Sequence, residues 1–332
     1  MIDVTHRFVE TNGIRMHFVE AGHGPLVLLL HGFPESWYSW RHQLTALAHA
    51  GYHVVAPDQR GYGQTDRPSQ IEQYTQLQCT GDLVGLLAAL GEKQAAVVGH
   101  DWGATAAWDL ALLRPDLVRG VVALSVPYRQ RGPVSLVKAR ESEPDGTFYM
   151  IYFQQPGKAE AEMERDVRTS LLKMLYSISG DASAETRAAW SVVPQGREFL
   201  EGLSLPETLP SWLTEQDLDY YTSEFERTGF SGGLNWYRAI QKSWEQMAPW
   251  VGAPVLPPAL YIAGEQDVVV HFPGSRALIT NLRATVPHLQ KTMLLPGCGH
   301  WTQQERPSEV NSALIEFLQT LPFSPGGSGS EM

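Results

Sequence analysis

The sequence predicts an α/β fold built on a mostly parallel sheet, with helices on both faces and a helical segment inserted into the chain. Short, continuous apolar runs alternate with segments of helical periodicity in residues 1–127 and again after residue 249. Such runs are typical of strands that are buried on both faces. Between these two parts, residues 128–248 are helix-prone, rich in Trp and Tyr, and contain no strand-like run.

The first two predicted strands, residues 5–11 and 14–20, form a hairpin around Asn12-Gly13, a pair that accepts the positive φ angles of a tight turn. The same patterns predict further strands at 26–30, 52–56, 95–98, 118–125, 260–263 and 291–295. They predict helices at 38–49, 76–90, 104–113, 275–284 and 307–320. The α/β core is therefore predicted at 1–127 and 249–322, and the insertion at 128–248 is predicted to be a lid over a site at the carboxyl ends of the strands.

Composition excludes several classes of protein. The chain has 332 residues, of which 43% are hydrophobic, and this is enough to bury a large core. Its net charge is −11 and it has no dense run of Lys and Arg, so we do not expect a nucleic-acid partner. The early apolar run Leu26–Leu30 is too short to span a membrane. No signal peptide is evident, and the sequence predicts a cytoplasmic protein.

Two further features bear on the chain as a whole. Cys79 and Cys298 are the two cysteines, and they are predicted to be free thiols because they cannot form a disulfide framework. Residues 323–332, FSPGGSGSEM, are predicted to be a flexible tail because of their Gly and Ser content. The sequence does not specify the oligomeric state, and a homodimer is compatible with it.

The strongest motif is GHDWG at Gly99–Gly103, between a predicted buried strand and a predicted helix. Glycines two residues before and after a central residue suit a strained strand–turn–helix that presents a nucleophile, which here would be Asp101. The alternative is that Asp101 only caps the helix. A carboxylate nucleophile can attack a saturated carbon and leave an ester on the enzyme, so an epoxide or an alkyl halide would be a suitable substrate.

His300 and Asp267 are the predicted partners of this nucleophile. Each follows a predicted strand, and the chain order of nucleophile, acid and His matches that of hydrolase triads. His300 would activate the water that cleaves the ester, and Asp267 would orient the imidazole. The alternative for Asp267 is a turn residue that caps local backbone.

An oxyanion hole is predicted beside the nucleophile. HGFPE at residues 31–35 directly follows the strand at Leu26–Leu30, where such enzymes place one backbone donor. The amides of Phe33 and Trp102 are the predicted donors. Pro34 has no N–H and cannot donate.

These motifs together resemble the α/β-hydrolase superfamily, and more narrowly the soluble epoxide hydrolases. The matching segments are HGFPESW at 31–37, DQRGYG at 58–63, GHDWG at 99–103, Asp267, and GHW at 299–301. The resemblance extends to about residue 322. It implies hydrolysis of epoxides to vicinal diols without a metal or an organic cofactor.

The resemblance also implies two lid tyrosines that hold the epoxide oxygen. The segments IYFQQPG and LNWYR assign this role to Tyr152 and Tyr237. A phenol is protonated at neutral pH yet acidic enough to donate to the alkoxide that forms. The aromatic content of the lid favours an apolar or aryl epoxide.

Two alternatives remain open. A haloalkane dehalogenase on the same fold also uses an Asp nucleophile, and Trp102 resembles one of its halide donors. Phe33, however, offers no second side-chain donor. The other alternative is a non-catalytic ligand-binding relative, although such proteins commonly lack one of the catalytic residues, all of which this sequence retains.

Overall fold

An eight-stranded sheet forms the centre of the computed structural model, which describes residues 3–141 and 146–322. Two short strands in the inserted segment 128–248, which is called the lid below, form a separate pair. The predicted tail, residues 323–332, lies outside the described residues. Numbered along the chain, the strands are β1 (Thr5–Thr11), β2 (Ile14–Ala21), β3 (Leu26–Leu30), β4 (His53–Pro57), β5 (Ala95–His100), β6 (Val118–Leu124), β7 (Thr147–Phe148), β8 (Val192–Val193), β9 (Ala259–Gly264) and β10 (Leu289–Leu295).

The strand order is β1-β2-β4-β3-β5-β6-β9-β10. The pairs β1–β2 and β2–β4 are antiparallel, and every later pair is parallel, so the predicted mostly parallel sheet is confirmed. Asn12 and Gly13 join β1 to β2 with φ angles of 45° and 77°, as the predicted turn requires. All residues of β3, β5 and β9 are buried, which explains their continuous apolar sequences.

Helices cover the sheet and form the lid. Along the chain they are α1 (Arg41–His49), α2 (Gln76–Ala89), α3 (Trp102–Leu113), α4 (Leu136–Ala139), α5 (Tyr149–Tyr152), α6 (Lys158–Met163), α7 (Val167–Ser177), α8 (Ala184–Ala189), α9 (Glu215–Thr228), α10 (Ser231–Arg238), α11 (Ile240–Gln246), α12 (Val268–His271), α13 (Ser275–Thr280), α14 (Thr302–Glu305) and α15 (Pro307–Thr320). Short 3₁₀ segments lie at Trp37–Trp40, Ile71–Tyr74, Phe199–Gly202, Ala248–Trp250 and Leu282–Ala284.

The predicted elements differ from the observed ones in a few places. The helix predicted at 38–49 begins with the 3₁₀ turn Trp37–Trp40 and becomes α-helical at Arg41. The expectation that residues 128–248 contain no strand is wrong in one detail, because β7 and β8 form a two-residue antiparallel pair there. That pair is too short to produce a recognisable alternation of apolar and polar residues.

The parallel strands bring the predicted site residues to one edge of the sheet. β3, β5, β6, β9 and β10 run in the same direction, so the loops that follow them meet at their carboxyl ends. The helices α4–α11, which the chain inserts between β6 and β9, come from the same edge. The sheet thereby positions the loops that carry Phe33, Asp101, Asp267 and His300.

Among the residues that the structure describes, no helix has both the length and the apolar character needed to cross a membrane.

Asp109, a buried carboxyl group on α3, makes stability depend on pH. Burial raises the pKa of Asp109 to about 7, and Gln76 only partly opposes this effect. A raised pKa in the folded state means that stability is lost as the pH rises from the unfolded value of about 4 towards 7. We therefore expect Asp109→Asn to stabilise the protein more at pH 8 than at pH 5, by a difference on the order of 2 kcal/mol.

Chemical denaturation of wild type and variant at both pH values measures this difference. The exposed Asp116→Asn is a control and should change the unfolding free energy much less than Asp109→Asn does at pH 8. An equal effect of Asp109→Asn at pH 5 and pH 8 would contradict the explanation.

Candidate active site

Asp101 lies at a sharp turn between β5 and α3. Its φ and ψ angles are 52° and −118°, a backbone conformation that non-glycine residues rarely adopt. The turn requires the two flanking glycines because of close backbone contacts. A Cβ atom on Gly99 would overlap the carbonyl oxygen of Gly103, and one on Gly103 would overlap that of Leu30. The glycines thus allow the chain to hold Asp101 at the edge of the sheet.

The Asp101 carboxylate does not cap α3, although the residue occupies the N-cap position. Instead, its Oδ1 accepts a hydrogen bond of 2.9 Å from the backbone N–H of Phe33. Burial raises the pKa of the Asp101 carboxyl, and His300, His100 and the amides of Phe33 and Trp102 oppose the increase. Of the two predicted oxyanion donors, the Phe33 amide therefore binds the carboxylate directly, and the Trp102 amide stabilises its charge.

His300 and Asp267 come together beside this carboxylate. Nδ1 of His300 lies 3.0 Å from Oδ1 of Asp267, and Nε2 lies 3.8 Å from Oδ2 of Asp101. Asp267 also caps α12, since its Oδ1 accepts from the N–H of Val269 at 3.0 Å. The capping role and the pairing with His300 are thus both present, and the three side chains predicted as nucleophile, base and acid lie next to one another.

Charge sets the protonation of this pair. Burial disfavours the imidazolium of His300, but the Asp267 carboxylate outweighs that effect and raises the pKa of His300 to about 9. Asp101 adds to the increase. Burial raises the pKa of the Asp267 carboxyl, yet His300 and then Ser125 lower it below its usual range. At neutral pH the resting site therefore holds an imidazolium between carboxylates.

A second buried pair supports the His300 loop and the oxyanion hole. Nδ1 of His100 lies 2.7 Å from Oε2 of Glu35, and Nε2 of His100 lies 2.8 Å from the carbonyl oxygen of His300. The same Glu35 oxygen accepts from the N–H of Gly32 at 3.0 Å. Burial raises the pKa of Glu35, but His100 outweighs it and lowers that pKa to about 2. Glu35 is thus a buried anion that fixes both loops.

Tyr237, on lid helix α10, lies over the nucleophile turn. Its ring makes edge contacts with Trp102 and Phe33 at centroid distances of 5.1 Å and 5.5 Å. Burial and the nearby Asp101 carboxylate raise the pKa of Tyr237 well above its usual value. The phenol is therefore protonated and exposed to the field of the nucleophile.

The assignment of Tyr152 to the same site is wrong. Its hydroxyl donates a hydrogen bond of 2.8 Å to Oε2 of Glu162, and Nζ of Lys158 lies 4.1 Å from its ring centroid. Glu162 is itself fixed by the backbone N–H groups of Phe199 and Leu200. Tyr152 is a structural residue inside the lid.

Tyr149, one turn earlier on α5, lies beside Tyr237 instead. The two ring centroids are 6.0 Å apart. Burial, and then the charge of Asp101, raise the pKa of Tyr149 well above its usual value. The structure therefore pairs Tyr149 with Tyr237 opposite the nucleophile.

Comparison with known proteins places the chain in a family. Residues 25–307 match the family model of the α/β-hydrolase fold. Epoxide hydrolase A of Mycobacterium tuberculosis is 46% identical over 322 residues, which cover 96% of this chain and 98% of that protein. Epoxide hydrolase 3 of Siraitia grosvenorii is 43% identical over 321 residues, covering 96% and 99%. The chain belongs to the epoxide hydrolase family of α/β-hydrolases.

Solved epoxide hydrolase structures agree with this assignment. An epoxide hydrolase from an endophytic Streptomyces superposes with a TM-score of 0.93 at 46% identity, covering 96% of each chain. Potato (Solanum tuberosum) epoxide hydrolase I superposes with a TM-score of 0.88 at 41% identity, covering 96% of this chain and 99% of that one. The predicted resemblance and fold class are confirmed.

Two residues of this epoxide hydrolase site were not predicted from the sequence. Tyr149 lies two residues before the segment IYFQQPG that contains Tyr152, and the sequence does not say which of the two tyrosines faces the core. Ser125 follows β6, and its hydroxyl lies 3.2 Å from Nδ1 of His300. A serine at the end of a buried strand has no sequence signal that distinguishes it from a packing residue.

A buried ion pair attaches the lid of this epoxide hydrolase to the core. Nε of Arg41 lies 3.0 Å from Oδ1 of Asp217 on α9, and the hydroxyl of Tyr38 donates to the same oxygen at 2.9 Å. Nη1 of Arg41 also donates to Oε1 of Gln304 at 2.7 Å. Gln304 in turn donates to Glu35 at 3.1 Å, which connects the lid contact to the carboxylate beside the oxyanion hole.

The glycine at position 99 provides a test of the nucleophile turn. We expect Gly99→Ala to lower the free energy of unfolding by about 1–3 kcal/mol and to abolish activity, because its methyl group meets rigid backbone rather than a side chain. Gly202→Ala is the control, since nothing lies closer than 3.9 Å to its Cβ and its φ angle is ordinary. Thermal and chemical unfolding, together with epoxide turnover, measure both variants. Full activity of Gly99→Ala would contradict the packing argument.

Proposed function

We propose that the protein converts epoxides to vicinal diols in two steps, through an ester on Asp101. The observation that supports this most directly is a buried carboxylate, held by backbone amides, that two protonated phenols face from the lid. An epoxide needs both groups at once, since its ring oxygen becomes an alkoxide as a carboxylate attacks its carbon. The membership of the epoxide hydrolase family supports the same reaction.

In the first step, Oδ2 of Asp101 attacks a ring carbon, because Oδ1 is engaged by the Phe33 amide. The new C–O bond forms as the ring C–O bond breaks, and the ring oxygen takes a proton from Tyr149 or Tyr237. The product is a hydroxyalkyl ester on Asp101. The imidazolium of His300 loses one proton to restore the neutral tyrosine, directly or through water, and so becomes a free base.

In the second step, neutral His300 takes a proton from water while the water oxygen attacks the ester carbonyl carbon. The tetrahedral oxyanion lies against the amides of Phe33 and Trp102; the Phe33 amide already binds Oδ1 in the resting site, and both amides lower the pKa of the carboxyl. Cleavage of the carbon–oxygen bond that carries the alkyl group releases the diol. The imidazolium gives its proton to the departing alkoxide. The new Asp101 carboxyl group then returns a proton to His300, which restores the carboxylate and the imidazolium, so one water molecule has been added overall.

The electrostatics favour this order of events. The negative charge of Asp101 contributes to the raised pKa of His300. Ester formation removes that charge, so the pKa of His300 falls and the imidazole becomes available as a base. The base is thus held protonated at rest and is freed by the first step.

The structure gives less support to the two alternatives. The Phe33 side chain packs against Tyr237 and Phe153, at centroid distances of 5.5 Å and 6.1 Å, and supplies no halide donor. A halide leaves without a proton, so a dehalogenase has no need of two buried phenols. A non-catalytic binding protein would not require a nucleophile in a strained backbone conformation.

The rings around the site favour an apolar or aromatic epoxide. Phe33, Phe153, Trp102, Tyr149 and Tyr237 contact one another in a chain of edge-on pairs. Such a surface excludes water and accommodates aryl or alkyl groups. Faster turnover of small polar epoxides than of styrene-type epoxides would contradict this preference.

A trapping experiment tests the proposed reaction. We expect His300→Gln to form the ester but not to hydrolyse it, because the base is absent. After incubation with aryl and alkyl epoxides, intact-mass measurement should show the addition of one epoxide, and peptide mapping should place it on Asp101.

The double variant Asp101→Asn/His300→Gln is the control and should show no adduct at early times. An adduct on another residue, or none with any epoxide, would contradict the proposal. An alkyl ester formed from haloalkanes but not from epoxides would instead favour the dehalogenase.

The lid tyrosines provide a second test. We expect Tyr149→Phe and Tyr237→Phe each to slow ester formation by about 100-fold, because each removes a proton donor to the ring oxygen. Tyr152→Phe should retain activity within about twofold and lose about 1 kcal/mol of stability, since its hydroxyl serves Glu162. Single-turnover kinetics and thermal unfolding measure these effects. If Tyr152→Phe alone slowed ester formation strongly, Tyr152 and not Tyr149 or Tyr237 would be the proton donor.

A further inference from the structure

Ser125 occupies a backbone conformation that favours glycine. Its φ angle is 72°, and it is a fully buried residue immediately after β6. The conformation is fixed on both sides, because its N–H donates to the carbonyl of Ile262 at 2.9 Å and its carbonyl accepts from the Tyr261 hydroxyl at 2.6 Å. A side chain in this region of backbone space costs free energy that glycine would not. The presence of serine, where glycine would be less strained, indicates a role for its hydroxyl.

The hydroxyl of Ser125 faces the catalytic base. Its Oγ lies 3.2 Å from Nδ1 of His300, on the ring edge that Asp267 contacts at 3.0 Å. Nε2, on the other side of the ring, faces Asp101. Asp267 and Ser125 come from loops after two neighbouring strands, β9 and β6. The ring is thus held at one edge from two elements.

We propose that Ser125 is a positioning residue, whose hydroxyl fixes the Nδ1 edge of His300 against Asp267 so that Nε2 stays directed at the water and the ester. The kinetic effects expected from this inference rest on the proposed function, whereas the expected effect on the titration of His300 does not. A mere turn residue would need no hydroxyl, and glycine would meet the backbone requirement better.

The hydroxyl also adds to the groups that favour the imidazolium form of His300. These groups are Asp267, Asp101 and Glu35, and the His100 ring lies nearby with its centroid 4.7 Å away. Both nitrogens of an imidazolium carry protons, so the Ser125 oxygen, 3.2 Å from Nδ1, can only accept from it. Removal of the hydroxyl should therefore lower the proton affinity of His300.

Two variants separate the hydroxyl from the backbone. Ser125→Ala removes the hydroxyl and keeps a side chain at the positive φ angle, whereas Ser125→Gly removes both. We expect both to slow ester hydrolysis by roughly 10-fold, because small misplacement of a catalytic group costs up to about 100-fold. Ester formation should stay within about twofold of wild type, so the ester should accumulate in both variants. Ser125→Gly should be at least as stable as Ser125→Ala.

A purely structural role of Ser125 would leave the pH dependence of ester hydrolysis unchanged, so this dependence tests the proposal. The midpoint of the hydrolysis step should move downward by at least about half a pH unit in both variants. The His300 imidazole, followed by NMR titration in the resting enzyme without substrate, should shift in the same direction. Thermal unfolding of each variant shows whether it is folded.

The outcomes distinguish this inference from the proposed reaction. If Ser125→Gly hydrolyses the ester as fast as wild type, with an unchanged His300 titration, the hydroxyl serves only the turn and the inference is wrong. If wild type forms no ester with any epoxide, the proposed reaction fails. The NMR titration then still decides whether Ser125 acts on His300.

Discussion

The buried carboxylate of Asp101 is the group on which the rest of the site depends. A charge removed from water is costly unless donors or opposite charge replace the solvent. Here the replacement comes from the amides of Phe33 and Trp102 and from His300. The turn that presents the carboxylate works only because Gly99 and Gly103 leave room for adjacent backbone. The Asp101 carboxylate can therefore reach the Phe33 amide only because the ends of β3 and β5 lie side by side.

The remaining charges are arranged around that carboxylate in a fixed order. Asp267 lies behind His300, and Glu35 lies behind His100, so each buried imidazole has a buried acid as its partner. The first pair is the one proposed to react, and the second holds the carbonyl of His300 and the amide of Gly32. Because Asp101 raises the pKa of His300, neutralisation of one residue changes the other. The site is therefore a coupled electrostatic unit.

The lid contributes the groups that the core lacks. The helices that carry Tyr149 and Tyr237 are joined by Gln154, whose amide donates to the carbonyl of Tyr237 at 2.9 Å. Arg238 joins the same segments through Phe153 and forms a buried, bidentate pair with Glu160. These contacts set the spacing of the two phenols. The proposed oxyanion donors in the core and the proposed proton donors in the lid thus come from separate parts of the chain.

The sequence by itself determined the sheet and the inserted helical segment, and it predicted Asp101, His300 and Asp267 as the reacting groups. Buried strands, flanking glycines and the chain order of the predicted triad can be recognised in the sequence without knowledge of how the chain packs. Only the tertiary structure decided between Tyr149 and Tyr152, because which face of a short helix turns inward depends on partners such as Glu162. It also revealed Ser125, which meets His300 only once β6 and β9 lie side by side. Contacts between distant segments depend on how the strands and helices pack, and sequence spacing does not record that arrangement.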